Sequence, residues 1–303
     1  MANPVLSRPE AFQRQGQYAQ PGQYGPEGSP QQYGQPPYGQ QQYGQAPYGQ
    51  APYGQQQYGN PPYGQQPGQY GFPPVPAAPA GGVMRIEDVI TKSGITMGGL
   101  FLVAAAVFMV MPVSLLMPAI IVTGIVGFIT VLMVSMRRTV SPAAVVAYTV
   151  VEGIFIGALS KMFNYMFPGI VVQAILGTFI AAGVTLAAYK YFRIRVTNKF
   201  RRIVTIATMG IAAMYLVNLV VSLFGVSTGL VAVGPQAGPL SWIVSAVAVV
   251  LAVASLIMDF DYIEAGIRNG APASESWRAA FGLTVTMVWL YTEILRILSY
   301  FRN

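Results

Sequence analysis

Leu240 to Met258 reads LSWIVSAVAVVLAVASLIM, nineteen residues with no charge among them. A helix needs about 20 such residues to cross about 30 Å of hydrocarbon. A buried helix of a soluble domain would be shorter and would show a polar face. Working outward, runs of the same kind recur on both sides. Upstream lie Ile95 to Met117, Pro118 to Met136, Pro142 to Ser160, Pro168 to Tyr189 and Ile203 to Phe224; downstream lies Ala279 to Phe301. Seven runs in succession predict an all-α integral membrane protein, a bundle of seven transmembrane helices. Between the first two, Met111-Pro112 to Met117-Pro118 carries no charge to mark a loop. That segment reads either as a tight apolar turn or as a break in one long helix. An even number of spans would put both termini on one side.

Composition points the same way. Of 303 residues, 53% are hydrophobic and 9% charged, against about a quarter charged in soluble domains. Cysteine and histidine are both absent. Their absence removes thiol chemistry, disulfides, Cys or His metal ligation and histidine general-base catalysis. Chemistry must rest on carboxylates, basic groups, hydroxyls and backbone. No serine with a base partner, aspartyl protease pair or metal cluster is recognisable, so neither an enzyme nor a cofactor is expected.

Residues 1–82 form a separate region, ahead of a transmembrane domain over 83–303. The first region is almost pure Gln, Tyr, Gly and Pro, with four charges: Arg8, Glu10, Arg14 and Glu27. Tyrosine recurs every five residues from Tyr33 to Tyr63, each followed by glycine, in units such as QPPYG and QQQYG. No helix or strand has a period of five, and Pro and Gly break both. With no Leu or Ile in the repeat, nothing offsets the entropy of ordering, so this region is expected to be a disordered low-complexity tail. It reads as a solvated extension or as a sticky aromatic segment that recruits partners. The start, MANPVLSRPEAF, lacks the basic and apolar regions of a secretory signal.

Basic residues set the orientation. With seven spans, twelve fall on the N-terminal side, from Arg85 and Lys92 through Arg137 and Arg138 and the stretch KYFRIRVTNKFRR (190–202) to Arg268 and Arg278. The other side receives at most Lys161, Arg296 and Arg302. The N-terminus and tail are therefore expected in the cytoplasm and the C-terminus outside. The net charge of +7 reads as this bias and as contact with anionic lipid, not as a nucleic-acid surface. Gly153 and Gly157 form a GxxxG in the third run, which lets two helix backbones approach.

Only ten acids occur, and five lie in or beside the membrane: Glu152, Asp259, Asp261, Glu264 and Glu293. A carboxylate at that depth is expensive unless it is protonated, paired or facing water, which makes each a functional candidate. Asp261, Glu264 and Arg268 share one polar face, read as a solvated cap with a Glu264–Arg268 pair. Asp259 shares its face with Ser255, Leu256, Ile263 and Gly266, the side that should meet the bundle. Glu293 either is neutralised by Arg296, three residues on, or pairs with another helix. Two carboxylates in one low-dielectric site cannot both ionise cheaply, so they would share a proton and form a pH-sensitive latch. Loss of that proton would part the helices or create a cation site suited to calcium. Glu152, beside Gly153, needs a partner from another helix; Asn218 and Tyr215 are the polar groups at comparable depth.

Four segments carry a resemblance. MRIEDVITKSGITMGG, SPAAVVAYTVVEGIFIGALS, IMDFDYIEAGIRNG and AAFGLTVTMVWLYTEILRILSYF, in that order over 83–303, resemble the Bax inhibitor-1 (transmembrane Bax inhibitor motif) family, above all its bacterial YccA-like branch. The resemblance implies a seven-helix bundle with a central last helix, in the plasma (inner) membrane of a bacterium. It also implies a pH-sensitive calcium leak, gated by an acid from each of the last two helices and latched by an arginine. Asp259-Phe-Asp-Tyr-Ile263 matches the sixth-helix pattern, and Leu290-Tyr291-Thr292-Glu293 the seventh. Asp259 and Glu293 are thus the expected gate and calcium ligands, with Asp261 and Glu152 secondary and Arg137 or Arg138 the latch. The chain departs from the pattern in using a glutamate, 34 positions after Asp259. The function expected is a calcium-conducting multipass protein. The alternative is a non-conducting scaffold or stress-response regulator that binds a partner such as a membrane protease.

Overall fold

The structure is a computed structural model that describes residues 82–137 and 139–302. The repeat tail, with the disorder expected of it, and Arg138 lie outside the described residues. Seven helices follow in order: α1 (Ile86–Val110), α2 (Leu116–Met136), α3 (Pro142–Met166), α4 (Ile170–Tyr191), α5 (Asn198–Leu223), α6 (Pro239–Arg268) and α7 (Glu275–Tyr300). All seven are long and apolar enough to cross a membrane. The undecided segment after α1 is a tight apolar turn. Met111 and Pro112 are extended, a single 3-10 turn covers Val113–Leu115, and α2 begins at Leu116. Proline has no N–H to continue α1 and biases the residue before it away from helix, which is why the first run stops short of Met117.

Local signals set the other boundaries. Ser141 caps α3, its hydroxyl accepting from the Ala144 amide at 3.2 Å, with Pro142 in the first turn. Thr197 caps α5 in the same way through the Phe200 amide. Between α3 and α4, Gly169 sits at φ +81°, where an L side chain would be strained, and its amide donates to Asn164 Oδ1. α6 runs ten residues beyond the apolar stretch, and at 1.5 Å per residue its 30 residues reach about 45 Å. Its last turns therefore stand clear of the hydrocarbon and carry Asp261, Glu264 and Arg268.

α7 is the central helix. It packs along α6, α1, α4 and α3, while α2 lies chiefly against α3 and α5 against α6. Among the described residues α5 buries Val204 alone and α2 buries Leu116, Gly127 and Val134, whereas α7 buries Ala280, Leu290, Leu295 and Ser299 completely. At one end of the bundle the chain entering α1 is tied to the α6–α7 loop. The Met84 amide donates to Ala271 O at 2.7 Å, the Ala273 amide to Gly82 O, and Lys92 Nζ to Ala273 O at 3.0 Å. Arg278 meets Arg137 O here and Arg201 of the 190–202 stretch meets Asp261 of α6, so these basic residues, assigned to one side by alternation, do lie at one end.

Candidate functional site

The polar groups of the bundle line up along α7, at two levels. The deeper level is built around Glu293, which is 2% exposed. Its Oε2 pairs with the Arg296 guanidinium, one turn on, and its Oε1 accepts from Tyr215 OH of α5 at 2.7 Å. Arg296 also donates to Tyr215 OH and, through Nε, to Ser245 Oγ of α6 at 3.0 Å. Ser245 Oγ in turn meets Tyr300 OH at 2.9 Å. The network joins α5, α6 and α7, and both oxygens of the carboxylate are engaged. Removing one partner would leave a buried charge uncompensated, which is far costlier than losing the pair as a whole.

The shallower level is Asp259. Thr286 Oγ1 of α7 donates to its Oδ2 at 2.6 Å, and its Oδ1 lies against Gly282, where an added Cβ would stand 3.4 Å away. A cavity of about 170 Å³ reaches it, lined by Asp259, Tyr262, Arg278, Ala279 and Gly282. Arg278 holds Glu275 Oε2 at 2.8 Å and donates to Arg137 O at 3.2 Å, while Tyr262 OH donates to Glu275 Oε2 at 2.6 Å. On the same face of α6 as Asp259, Leu256 has no exposure and Ile263 is buried. Ser255 Oγ, one turn deeper, is buried without a hydrogen-bond partner.

The structure does not bring Asp259 and Glu293 together. Asp259 meets α7 at Thr286, seven residues before Glu293, a rise of about 10 Å. Between the levels lie Ala252, Leu256 and Leu290, none of them exposed. The long connection between the two acids is the cause: α7 begins at Glu275, and by Glu293 the antiparallel register has moved about two turns back along α6 from Asp259, toward Ser245, which Arg296 reaches.

The secondary candidates fall elsewhere. Asp261 pairs with Arg201 of α5 at 2.8 Å, and Glu264 pairs with Arg268 at 3.5 Å while accepting from Tyr189 OH. Both pairs are solvent-facing and worth little in stability. Glu152 is 9% exposed and packs on α2, where a Cβ on Gly127 would lie 2.8 Å from its Oε2. Neither polar group expected to partner it does so: Tyr215 serves Glu293 and Arg296, and Asn218 accepts from Thr228. The side chain of Arg137 is exposed; the arginine beside Asp259 is Arg278. Sequence reasoning counted Arg278 only as a topology charge and passed over Thr286 and Ser245, because hydroxyls are ordinary in apolar helices and carry no signal until a partner is placed.

With this geometry in place, the comparisons give the lineage. A family model described as Bax inhibitor 1 like matches residues 3–303. The chain belongs to the Bax inhibitor 1-like family. The match begins at residue 3 and takes in the repeat tail, which the four resembling segments over 83–303 did not reach. A search of curated proteins gives no match. Family membership and seven apolar helices make this a multipass membrane protein in contact with the lipid bilayer.

Proposed function

We propose that this member of the Bax inhibitor 1-like family is a cation leak pathway, with calcium as the conducted ion, gated by protonation of Asp259 and Glu293 along the α6–α7 seam. The observation that carries this reading is Asp259 in the lining of a cavity at the basic end of the bundle. The two acids act in series, not as one shared-proton pair. Asp259 receives the ion, the dry turns at Ala252, Leu256 and Leu290 close the path, and Glu293 is the inner station, sealed by Arg296. Among the described residues no three acidic side chains are placed to hold one metal ion together. Single carboxylates in series suit an ion that must leave as readily as it enters. The chain then works as a conduit rather than an enzyme. By the basic bias, the Asp259 end faces the cytoplasm, in the plasma membrane of a bacterium.

Protonation would remove the charge that draws a cation past Tyr262 and Arg278, so flux should rise with pH. The test is calcium entry into liposomes holding purified protein, between about pH 6 and 8. Wild type should show a flux that increases with pH, and Asp259→Asn should flatten that profile. Glu293→Gln, which removes the inner titrating station, should flatten it as well. A flux indifferent to both substitutions would move the pathway to Glu152. The absence of flux from folded protein would favour the partner-binding scaffold, a reading supported by the neutralisation of Glu293 within its own helix.

A further inference from the structure

A second cavity of the bundle lies on the other side of α7 from the two acids. It is a groove of about 300 Å³ in which α1 and α4 form the walls and α3 and α7 the floor. The two walls pack on the floor helices rather than on each other, so the groove stays open between them. Phe101, Val172 and Phe179 line it and are 56%, 63% and 61% exposed, which places its mouth on the surface that meets lipid.

Four features describe what would fill it. The lining is almost wholly apolar, and its hydroxyls are already engaged: Ser160 with Tyr291 at 2.7 Å, Thr178 with Ala174 O and Thr284 with Ala280 O. Asn164 adds one amide toward the C-terminal end of α3, its Oδ1 accepting from the Gly169 amide, so a soluble ligand or an ion would find few polar partners along the groove. Along α1 the groove runs from Met97 to Phe108, a rise of about 16 Å. That is close to one leaflet, half of the ~30 Å hydrocarbon thickness. It lies toward the C-terminal end of α1, away from the basic end. At that far end stand the two basic residues left to this side of the bundle, one beside each wall. Lys161 Nζ reaches Met109 O of α1 at 3.4 Å, and Arg302 Nη2 reaches Gln173 Oε1 of α4 at 2.7 Å.

We propose that the groove seats one acyl chain of an anionic phospholipid from this leaflet, with the phosphate held between Lys161 and Arg302. The chain replaces wall-to-wall packing between α1 and α4, and the two cations select the headgroup. The site is independent of the ion pathway.

The test uses the full chain, purified in detergent and stripped of lipid. It is offered phosphatidylglycerol or phosphatidylcholine with identical acyl chains, and retained lipid is read by native mass spectrometry. Wild type should keep one phosphatidylglycerol per chain, with a preference of roughly thirtyfold over phosphatidylcholine from two cations. Lys161→Gln with Arg302→Gln should erase the preference while leaving chain binding. Ala105→Trp, which fills the groove, should abolish retention of both lipids. Should that variant fold poorly, the melting temperature decides: phosphatidylglycerol should raise it for wild type and not for the double variant. Equal retention of the two lipids by wild type would overturn the proposal. So would a mass showing two copies bound with no lipid, the result if a second chain fills the groove.

Discussion

At the scale of single residues, the buried pair on α7 is costly to disturb. Glu293 and Arg296 have side chains 3% and 8% exposed, and each has further partners on α5 or α6. Glu293→Gln or Arg296→Gln alone should destabilise the fold by about 3–5 kcal/mol, because the remaining charge stays buried without its partner. Glu293→Gln combined with Arg296→Met should cost less than either single change. Thermal unfolding in detergent would show this order; additive losses would mean that the two side chains do not act as a pair. Arg296 three residues after Glu293 was legible as local neutralisation. Tyr215 was legible as a polar group at depth, but its partner was not, since pairing across 78 positions depends on how α5 is turned.

Among the elements, the α1–α3 contact is the one that glycine makes. A Cβ on Gly157 would meet Ala104 O at 2.5 Å and Val107 Cβ at 2.8 Å, and one on Gly153 would meet Val103 Cβ at 2.7 Å. Backbone cannot yield as a flexible side chain can, so the two helices would have to separate. Gly157→Ala should cost about 1–3 kcal/mol by overpacking. Gly183→Ala on α4, where nothing lies within 4 Å, should change stability by no more than about 0.5 kcal/mol. Melting of the two variants side by side checks the contrast, and equal shifts would refute close packing at Gly157. The GxxxG spacing marked these positions in the sequence. That it faces α1, and not α2 or a second copy, came only with the fold.

For the whole molecule, seven spans put Ser274, at the start of α7, and Ser227, beyond the end of α5, on opposite sides of the membrane. Both are exposed, and the chain has no cysteine of its own. In intact cells a membrane-impermeant maleimide should label Ser227→Cys, and should label Ser274→Cys only after permeabilisation. The reverse pattern would invert the orientation assigned from the basic residues. The span count and the gathering of basic residues at one end were open to the sequence, because both are one-dimensional. A bilayer of fixed thickness sets the length of each apolar run, and alternation then assigns every loop to a side. Helix ends were less legible where polar residues continue a helix beyond the hydrocarbon, as in the last ten residues of α6. What the tertiary structure alone decided was the neighbour of each buried polar group. Asp259 meets Thr286 rather than Glu293, Glu152 rests on Gly127 rather than on α5, and a groove opens where α1 and α4 fail to meet. Such contacts depend on the rotation and tilt of each helix against its neighbours, and a uniformly apolar helix surface holds almost no record of which way it will turn.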